Sequence, residues 1–154
     1  MNWFTADYHL GEERFDLLQR PFKNPHEQSA ILIKNHNSVV NNDDFVYVLG
    51  DVLYREADPK IWLPTLDLMN GRKILIRGNH DRPFTDEQFR PHFEEIIPEG
   101  DGIELAVGDI DCYLTHYPTR GREDRFNLVG HVHSAWKYQL NMMNVGIDTN
   151  HFRP

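Results

Sequence analysis

The chain has 154 residues, of which 40% are hydrophobic and 26% charged, and its formal net charge is −8. These values are typical of one soluble globular domain (residues 1–154), and the negative charge argues against a surface that attracts nucleic acid over its whole extent. The single cysteine, Cys112, excludes an internal disulfide and favours a cytoplasmic location, and no apolar run is long enough to span a membrane.

The first half of the chain begins with a short strand and a helix. A strand is predicted from Asn2 to Ala6, directly before Asp7. Asn24 and Pro25 are typical of a helix start, as the N-cap and the first helical residue. The continuous apolar run Phe45 to Leu49 then predicts a buried strand.

A second helix and a third strand follow. Asp58-Pro59 predicts a helix start, with the helix running towards Leu68 and disturbed by Pro64. Lys73 to Ile76 is a short aliphatic run that predicts another buried strand. The resulting order, β-α-β-α-β, predicts parallel strands with helices on their faces.

The second half is richer in strands, separated by Gly and Asp turns. Five are predicted, at 103–107, 110–116, 126–130, 136–139 and 143–147. Together the two halves indicate an α/β fold in which two facing mixed β-sheets form a sandwich flanked by α-helices.

Polar clusters containing metal-ligand residue types are spaced along the chain, several of them where a predicted strand ends. Binding sites in open α/β sheets form at the carboxyl ends of strands, so segments far apart in sequence can meet at one edge. The clusters are Asp7-Tyr8-His9, Gly50-Asp51, Gly78-Asn79-His80-Asp81, His116 and Gly130-His131-Val132-His133.

Singly, each cluster is weak and could be a set of polar turn residues. Together they supply carboxylates, one amide and several imidazoles. That ligand set suits Mn, Fe, Zn, Ni or Co better than a calcium site made only of oxygen ligands. We therefore expect a metal centre.

The order D-x-H, G-D-x-x-x-R, G-N-H-D, H, G-H-x-H resembles the calcineurin-like metallophosphoesterase superfamily, and the resemblance covers residues 7 to 133. The chain is also similar to small single-domain bacterial and phage members of that superfamily. Those members carry an Arg-Pro-Phe after the first motif, here Arg20 to Phe22, and an Asn-Val-Gly-x-Asp near the end, here Asn144 to Asp148.

The resemblance implies two divalent metal ions, with Mn²⁺ favoured and Fe, Zn, Ni, Co or Mg compatible. Asp51 would bridge the two ions, His80 would face the substrate as a proton donor or phosphate contact, and Asp81 would orient His80. The metal ligands implied are Asp7, His9 and His133 for the first ion, and Asn79, His116 and His131 for the second.

This arrangement predicts phosphoester hydrolysis by a hydroxide that bridges two metals. The expected substrate is a phosphate-ester small molecule or a nucleotide, so that the enzyme is a phosphodiesterase or a nucleotide phosphatase. The alternative is a non-catalytic binding scaffold of the same fold, which the presence of His80 disfavours.

Substrate contacts are less well determined by the sequence. The candidates beside Asn79 and His80 are arginines. Arg55 has a structural salt bridge as its alternative role, and Arg120 and Arg122 could equally lie in a solvated loop with Glu123 and Asp124. Weaker candidates for substrate contact are Arg20, Tyr8 and Tyr54, while Trp136 and Tyr138 could either stack on a base or pack within the sheet.

Overall fold

The computed structural model describes all 154 residues and begins with a four-stranded sheet. Its strands pair in chain order and every pair is parallel. Parallel pairing follows from the helical or looped crossover that joins each strand to the next. The strands are β1 (Asn2–Thr5), β2 (Phe45–Leu49), β3 (Arg72–Ile76) and β4 (Glu95–Ile97).

All four α-helices precede the second sheet along the chain: α1 (Phe15–Leu18), α2 (Pro25–Asn37), α3 (Pro59–Trp62) and α4 (Asp86–Phe89). The predicted start of α2 is confirmed, since the side chain of Asn24 accepts a 2.9 Å hydrogen bond from the N–H of Glu27. The predicted disturbance at Pro64 is also confirmed, because α3 gives way to a 3₁₀ helix over Leu63–Leu68.

The second sheet has five strands in the order β5-β6-β7-β9-β8 and mixes parallel and antiparallel pairs. The strand predicted at 143–147 is shorter than expected, because Gly146 forms a parallel bridge with Ala6 and a 3₁₀ helix follows at Ile147–Thr149. The strands are β5 (Gly102–Val107), β6 (Ile110–Thr115), β7 (Phe126–Val129), β8 (Tyr138–Gln139) and β9 (Met142–Asn144).

The first sheet is the middle layer of the molecule. Alternate side chains of a strand point to opposite faces, so Leu49 and Ile76 pack against Leu114 of the second sheet. Val48 and Leu75 belong instead to the core beneath the helices. The predicted α/β fold of two facing sheets is confirmed, with one difference in detail: the first sheet is wholly parallel rather than mixed.

No helix in the structure has the length and apolar character that crossing a bilayer requires.

Candidate metal centre

The first two motifs lie side by side because the pairing of β1 with β2 continues past the ends of both strands. The N–H of Asp7 donates to the carbonyl of Gly50, and the N–H of His9 donates to the carbonyl of Asp51, each at 3.0 Å. This places the D-x-H and G-D segments at the same edge of the sheet, as expected from the sequence.

Five of the seven predicted ligands have a left-handed backbone, which non-glycine residues rarely adopt. Such conformations are strained and are held in place by the surrounding structure, often at functional sites. Here they turn side chains from successive positions towards one centre. The residues and their φ angles are Asp7 (62°), His9 (49°), Asp51 (55°), His131 (75°) and His133 (48°).

Asp7, His9 and His133 form a first ligand group, whose ligand atoms all lie within 4.8 Å of one another. Both ring nitrogens of His9 are buried and lack a hydrogen-bond partner. Burial lowers the pKa of His9 to about 4, so the ring is neutral at pH 7. A buried neutral imidazole beside a buried carboxylate fits a metal ion, which would satisfy an otherwise unpaired nitrogen.

Asn79, His116 and His131 form a second ligand group. Nδ1 of His116 lies 2.7 Å from the carbonyl oxygen of Leu49, which can only accept, so Nδ1 carries the proton. In the uncharged tautomer with this proton, Nε2 carries the lone pair, and it lies 3.1 Å from Oδ1 of Asn79. Nδ1 of His131 lies 3.0 Å from the same oxygen and 3.2 Å from Nε2 of His116. Acceptors converging in this way fit a cation.

Asp51 lies between the two groups. Its Oδ2 is 3.4 Å from Nε2 of His9, and its Oδ1 is 3.5 Å from Nε2 of His116. Although burial alone would raise the pKa of Asp51, the neighbouring His9 and His116 hold it well below its usual range. Asp51 is therefore a carboxylate that both groups can share.

Two glycines of the motifs permit this close approach. A Cβ on Gly78 would come within 2.3 Å of Oδ1 of Asp51, and one on Gly50 would come within 2.4 Å of Nδ1 of His116. Gly50 also has a φ of +84°, which L side chains rarely adopt. Any side chain at either position would displace a candidate ligand.

His80 lies beside the first group, with its ring centroid 4.5 Å from that of His9. By distance it could also join His9 and Asp51 as a ligand, so its predicted role as a non-ligand stays a prediction. Its Nδ1 is buried without a partner. Burial lowers the pKa of His80; the Asp51 carboxylate opposes this shift, and the guanidinium of Arg55 adds to it.

Asp81 is buried, and its carboxylate binds backbone rather than the His80 ring. It accepts hydrogen bonds from the N–H groups of Gly78, Asp51 and Val52 at 2.8, 2.9 and 3.0 Å. These amides take both oxygens of Asp81, so any orientation of His80 by Asp81 would act through the backbone, and that expected role stays a prediction. Asp81 fixes the G-D and G-N-H-D loops relative to each other.

Arg20 and Asp148 are also part of the centre, although the sequence offered Arg20 only as a substrate contact. That interpretation is wrong, since the Arg20 side chain is 0% exposed. It forms a two-point ion pair with Asp148, whose Oδ2 in turn lies 3.0 Å from Nδ1 of His133. The signals in the sequence were the Arg-Pro-Phe and Asn-Val-Gly-x-Asp segments themselves.

Tyr117 was not singled out from the sequence, yet its ring packs against two candidate ligands. The centroid of the Tyr117 ring lies 4.8 Å from that of His116 and 4.9 Å from that of His131. The Tyr117 hydroxyl donates to Glu99, and Arg82 binds the same carboxylate through two nitrogens. The signal in the sequence for this contact is that Tyr117 directly follows His116, a candidate ligand.

The remaining substrate-contact candidates lie in exposed segments. Arg55 has only a 3.8 Å ion pair with Glu56. The guanidinium of Arg122 pairs with Glu104 and lies 4.3 Å from the centroid of the Tyr113 ring. These contacts hold the Arg122 side chain against the second sheet. Arg120 is exposed and has no side-chain partner, so its substrate role stays a prediction.

Tyr8 and Tyr54 differ in accessibility. Tyr8 is buried and cannot touch a substrate, so that candidate role is wrong. The ring of Tyr54 lies 6.1 Å from that of His80 and beneath the guanidinium of Arg14, at 4.6 Å. Tyr54 and Arg14 therefore form one side of the surface around His80.

Comparison with known proteins identifies several relatives. A sequence model of the calcineurin-like phosphoesterase family matches residues 3–133. The Gene 66 protein of Mycobacterium phage L5 is 39% identical over 95% of this chain and 86% of its own length. An uncharacterized protein of Methanocaldococcus jannaschii is 45% identical, but over only 46% of this chain and 39% of that protein.

Two solved structures share the fold. A protein of unknown function from Aquifex aeolicus superimposes with a TM-score of 0.78 at 24% identity, covering 100% of this chain and 94% of its own. The Pseudomonas putida nuclease MPE superimposes with a TM-score of 0.59 at 23% identity, covering 86% of this chain and 61% of that one.

Proposed function

Because this chain belongs to the calcineurin-like phosphoesterase family, whose members hydrolyse phosphoesters with divalent metals, we propose that it uses two such ions. The first ligand group and the second ligand group would each hold one, and Asp51 would be shared. The substrate is a small phosphodiester or a nucleotide phosphate. Mn²⁺ is the ion that we expect to support the highest activity, among the metals that accept imidazole and carboxylate ligands.

One observation supports this proposal above the others. Side chains from both sheets converge on the two sides of a single buried carboxylate, Asp51, and both ring nitrogens of His9 have no hydrogen-bond partner in the protein. A structural polar cluster would pair its own donors and acceptors. Bound cations would complete this one.

When bound, the two ions would neutralise the charge of the phosphate and lower the pKa of a water molecule that attacks phosphorus. The protein's own part is to place the ligands and to supply a proton. His80 is half-buried with Nδ1 inside, so Nε2 is the ring nitrogen available to a substrate. From there it can give a proton to the departing oxygen.

The surface beside Tyr54, whose ring lies 6.1 Å from that of His80, favours a small substrate. A cavity of about 340 Å³ is lined by Tyr54, Arg14 and the acidic residues Glu12, Glu13 and Glu56. Tyr54 and Arg14 can contact a ring or a single phosphate. The carboxylates on the same wall would repel a long polyanion such as a nucleic-acid strand.

The test is hydrolysis of bis-p-nitrophenyl phosphate and p-nitrophenyl phosphate by the purified protein, first with Mn²⁺ and then with other divalent metals. Activity on the diester alone supports a phosphodiesterase, whereas activity on the monoester alone supports a phosphatase. A screen of cyclic nucleotides, nucleotide monoesters and short oligonucleotides then identifies the substrate class.

The same assay decides the alternative. A binding scaffold would hydrolyse neither compound with any metal. Asp109→Asn serves as a control for the effect of a remote substitution. Asp109 is exposed in the turn between β5 and β6, so this variant should keep the wild-type activity.

A further inference from the structure

A buried polar network connects the beginning of the chain to its end through the first ligand group. Arg20 donates from Nε and Nη2 to the two oxygens of Asp148, at 2.8 and 2.9 Å. Oδ2 of Asp148 lies 3.0 Å from Nδ1 of His133. The side chains of Arg20 and Asp148 are 0% and 3% exposed, so neither can reach a substrate.

We propose that Asp148 and Arg20 are positioning residues for the first metal ion and leave the second ion unaffected. The proposal rests on the proposed function, because it concerns one of the two metal sites. It extends the centre beyond the residues that the family model matches, since Asp148 lies outside residues 3–133.

Asp148 selects which nitrogen of His133 faces the metal. A carboxylate accepts hydrogen bonds, so in the neutral ring the proton sits on Nδ1 and points to Asp148. Nε2 then carries the lone pair, which would bind a metal ion held together with Asp7 and His9. A carboxylate behind a ligating histidine fixes the tautomer and the ring orientation in this way.

Arg20 ties that histidine to the strained D-x-H segment. Its Nη2 donates to the carbonyl of Asp7 at 2.6 Å, and its Nη1 donates to the carbonyl of Tyr8 at 3.0 Å. Gln28 accepts from Arg20 and donates to the carbonyls of Tyr8 and His9, at 3.1 Å each. The guanidinium therefore holds the backbone of Asp7 and the carboxylate behind His133, and it reaches the backbone of His9 through Gln28.

The second ligand group has a different support. The Nδ1 proton of His116 is held by the carbonyl of Leu49, and no atom of Arg20 or Asp148 takes part in that contact. Loss of the Asp148 carboxylate should therefore weaken one metal site selectively, which a general loss of stability would not do.

Asp148→Asn tests this. In the substituted side chain the NH₂ group replaces either Oδ1, which accepts from Nε of Arg20, or Oδ2, which faces both Nη2 of Arg20 and Nδ1 of His133, so at least one contact is lost. Calorimetric titration of the metal-free protein with Mn²⁺ should show one binding event weakened by about 10- to 100-fold and the other unchanged. Two unchanged events, or two equally weakened ones, would overturn the proposal.

Glu94→Gln is the matched control. Glu94 also forms a two-point ion pair with an arginine, Arg72, at 2.7 and 3.0 Å, but on an exposed surface. This variant should bind both equivalents of Mn²⁺ as the wild-type protein does. If it also lost one equivalent, the effect of Asp148→Asn would not be specific and the proposal would fail.

The tautomer of His133 gives a second readout that needs no bound metal and no folded variant. In ¹⁵N NMR spectra of the metal-free wild-type protein at pH 9, the His133 signal should be that of the Nδ1–H form. The Nε2–H form would overturn the proposal while leaving the proposed function standing. Conversely, a wild-type protein that binds no metal would overturn the proposed function, and the Nδ1–H signal would still support the positioning of His133.

Discussion

The backbone N–H of His80 donates a 2.8 Å hydrogen bond to Oδ1 of Asp51, the carboxylate that lies between the two ligand groups. The proposed proton donor and the proposed shared ligand are thus held together through the main chain. A substitution of the His80 side chain leaves this hydrogen bond in place, so it can separate proton transfer from metal binding, whereas a substitution at Asp51 affects both.

Asp51→Asn should abolish turnover and release at least one metal ion. The amide would place an NH₂ group against the His80 N–H, where Oδ1 now accepts, or against Nε2 of His9. It would also remove a charge shared by both ions. A loss of about 4 kcal/mol of transition-state stabilisation corresponds to about a thousandfold in kcat/KM. Metal content by atomic absorption and kcat/KM are the measurements, and full metal-dependent turnover would contradict the proposed role.

His80→Ala should keep both metals and lose rate. Removing a general acid typically costs about 10²- to 10⁴-fold, and the loss should be greatest when the departing alkoxide is a poor leaving group. We expect a smaller loss with p-nitrophenyl esters, whose leaving group needs no proton. His92→Ala is the control, because His92 pairs with Asp67 on the surface. Equal losses for good and poor leaving groups would argue against proton donation.

Asp81→Asn should destabilise the fold as well as the site. The carboxylate satisfies three buried backbone N–H groups, and an amide in its place leaves at least one of them without an acceptor. An orphaned buried donor costs roughly 1–3 kcal/mol in the free energy of unfolding. Urea unfolding with a chelator present measures this, and Asp86→Asn, which disrupts an exposed ion pair with Arg77, should cost less.

Asp44 should contribute a pH-dependent part of the stability. The amino group of Met1 and the N–H groups of Asn41 and Trp3 hold the pKa of Asp44 well below its usual range. A depressed pKa in the folded state stabilises the protein above about pH 4, and this stabilisation is lost as pH falls through the folded-state value.

Asp44→Asn should therefore lower Tm at pH 7, and the difference from wild type should shrink as pH falls below about 4. Thermal unfolding of the metal-free proteins between pH 7 and pH 3 measures both effects. Asp43→Asn serves as the neighbouring control, since Asp43 is exposed. A difference in Tm that stayed constant over this range would contradict the assignment.

Local signals predicted much of the fold. The N-cap at Asn24 and the break at Pro64 depend on a few neighbouring residues, and the apolar run at Phe45–Leu49 marks a strand buried on both faces. By contrast, β4 has only three residues, Glu95–Ile97, and no alternation long enough to detect. It is a strand only because β3 provides a partner.

The candidate site divides in the same way. Its ligands lie in short motifs at strand ends, so their convergence could be predicted from the order of the strands. The pair of Arg20 and Asp148 is separated by 128 residues, and a buried ion pair leaves no periodic trace in a sequence. The same is true of Asp81, whose acceptor role depends on where three loop amides point in the folded chain.

The left-handed backbone at five candidate ligands also has a consequence for engineering. A left-handed conformation costs a non-glycine residue about 1–2 kcal/mol, and glycine adopts it freely. Selection for thermal tolerance alone, without an activity screen, should therefore accept replacements at Asp7, His9, Asp51, His131 and His133 before most other buried positions. Variants selected in this way for heat resistance alone should lack metal-dependent activity, and the positions of their substitutions would then identify the candidate metal centre independently of any assay of function.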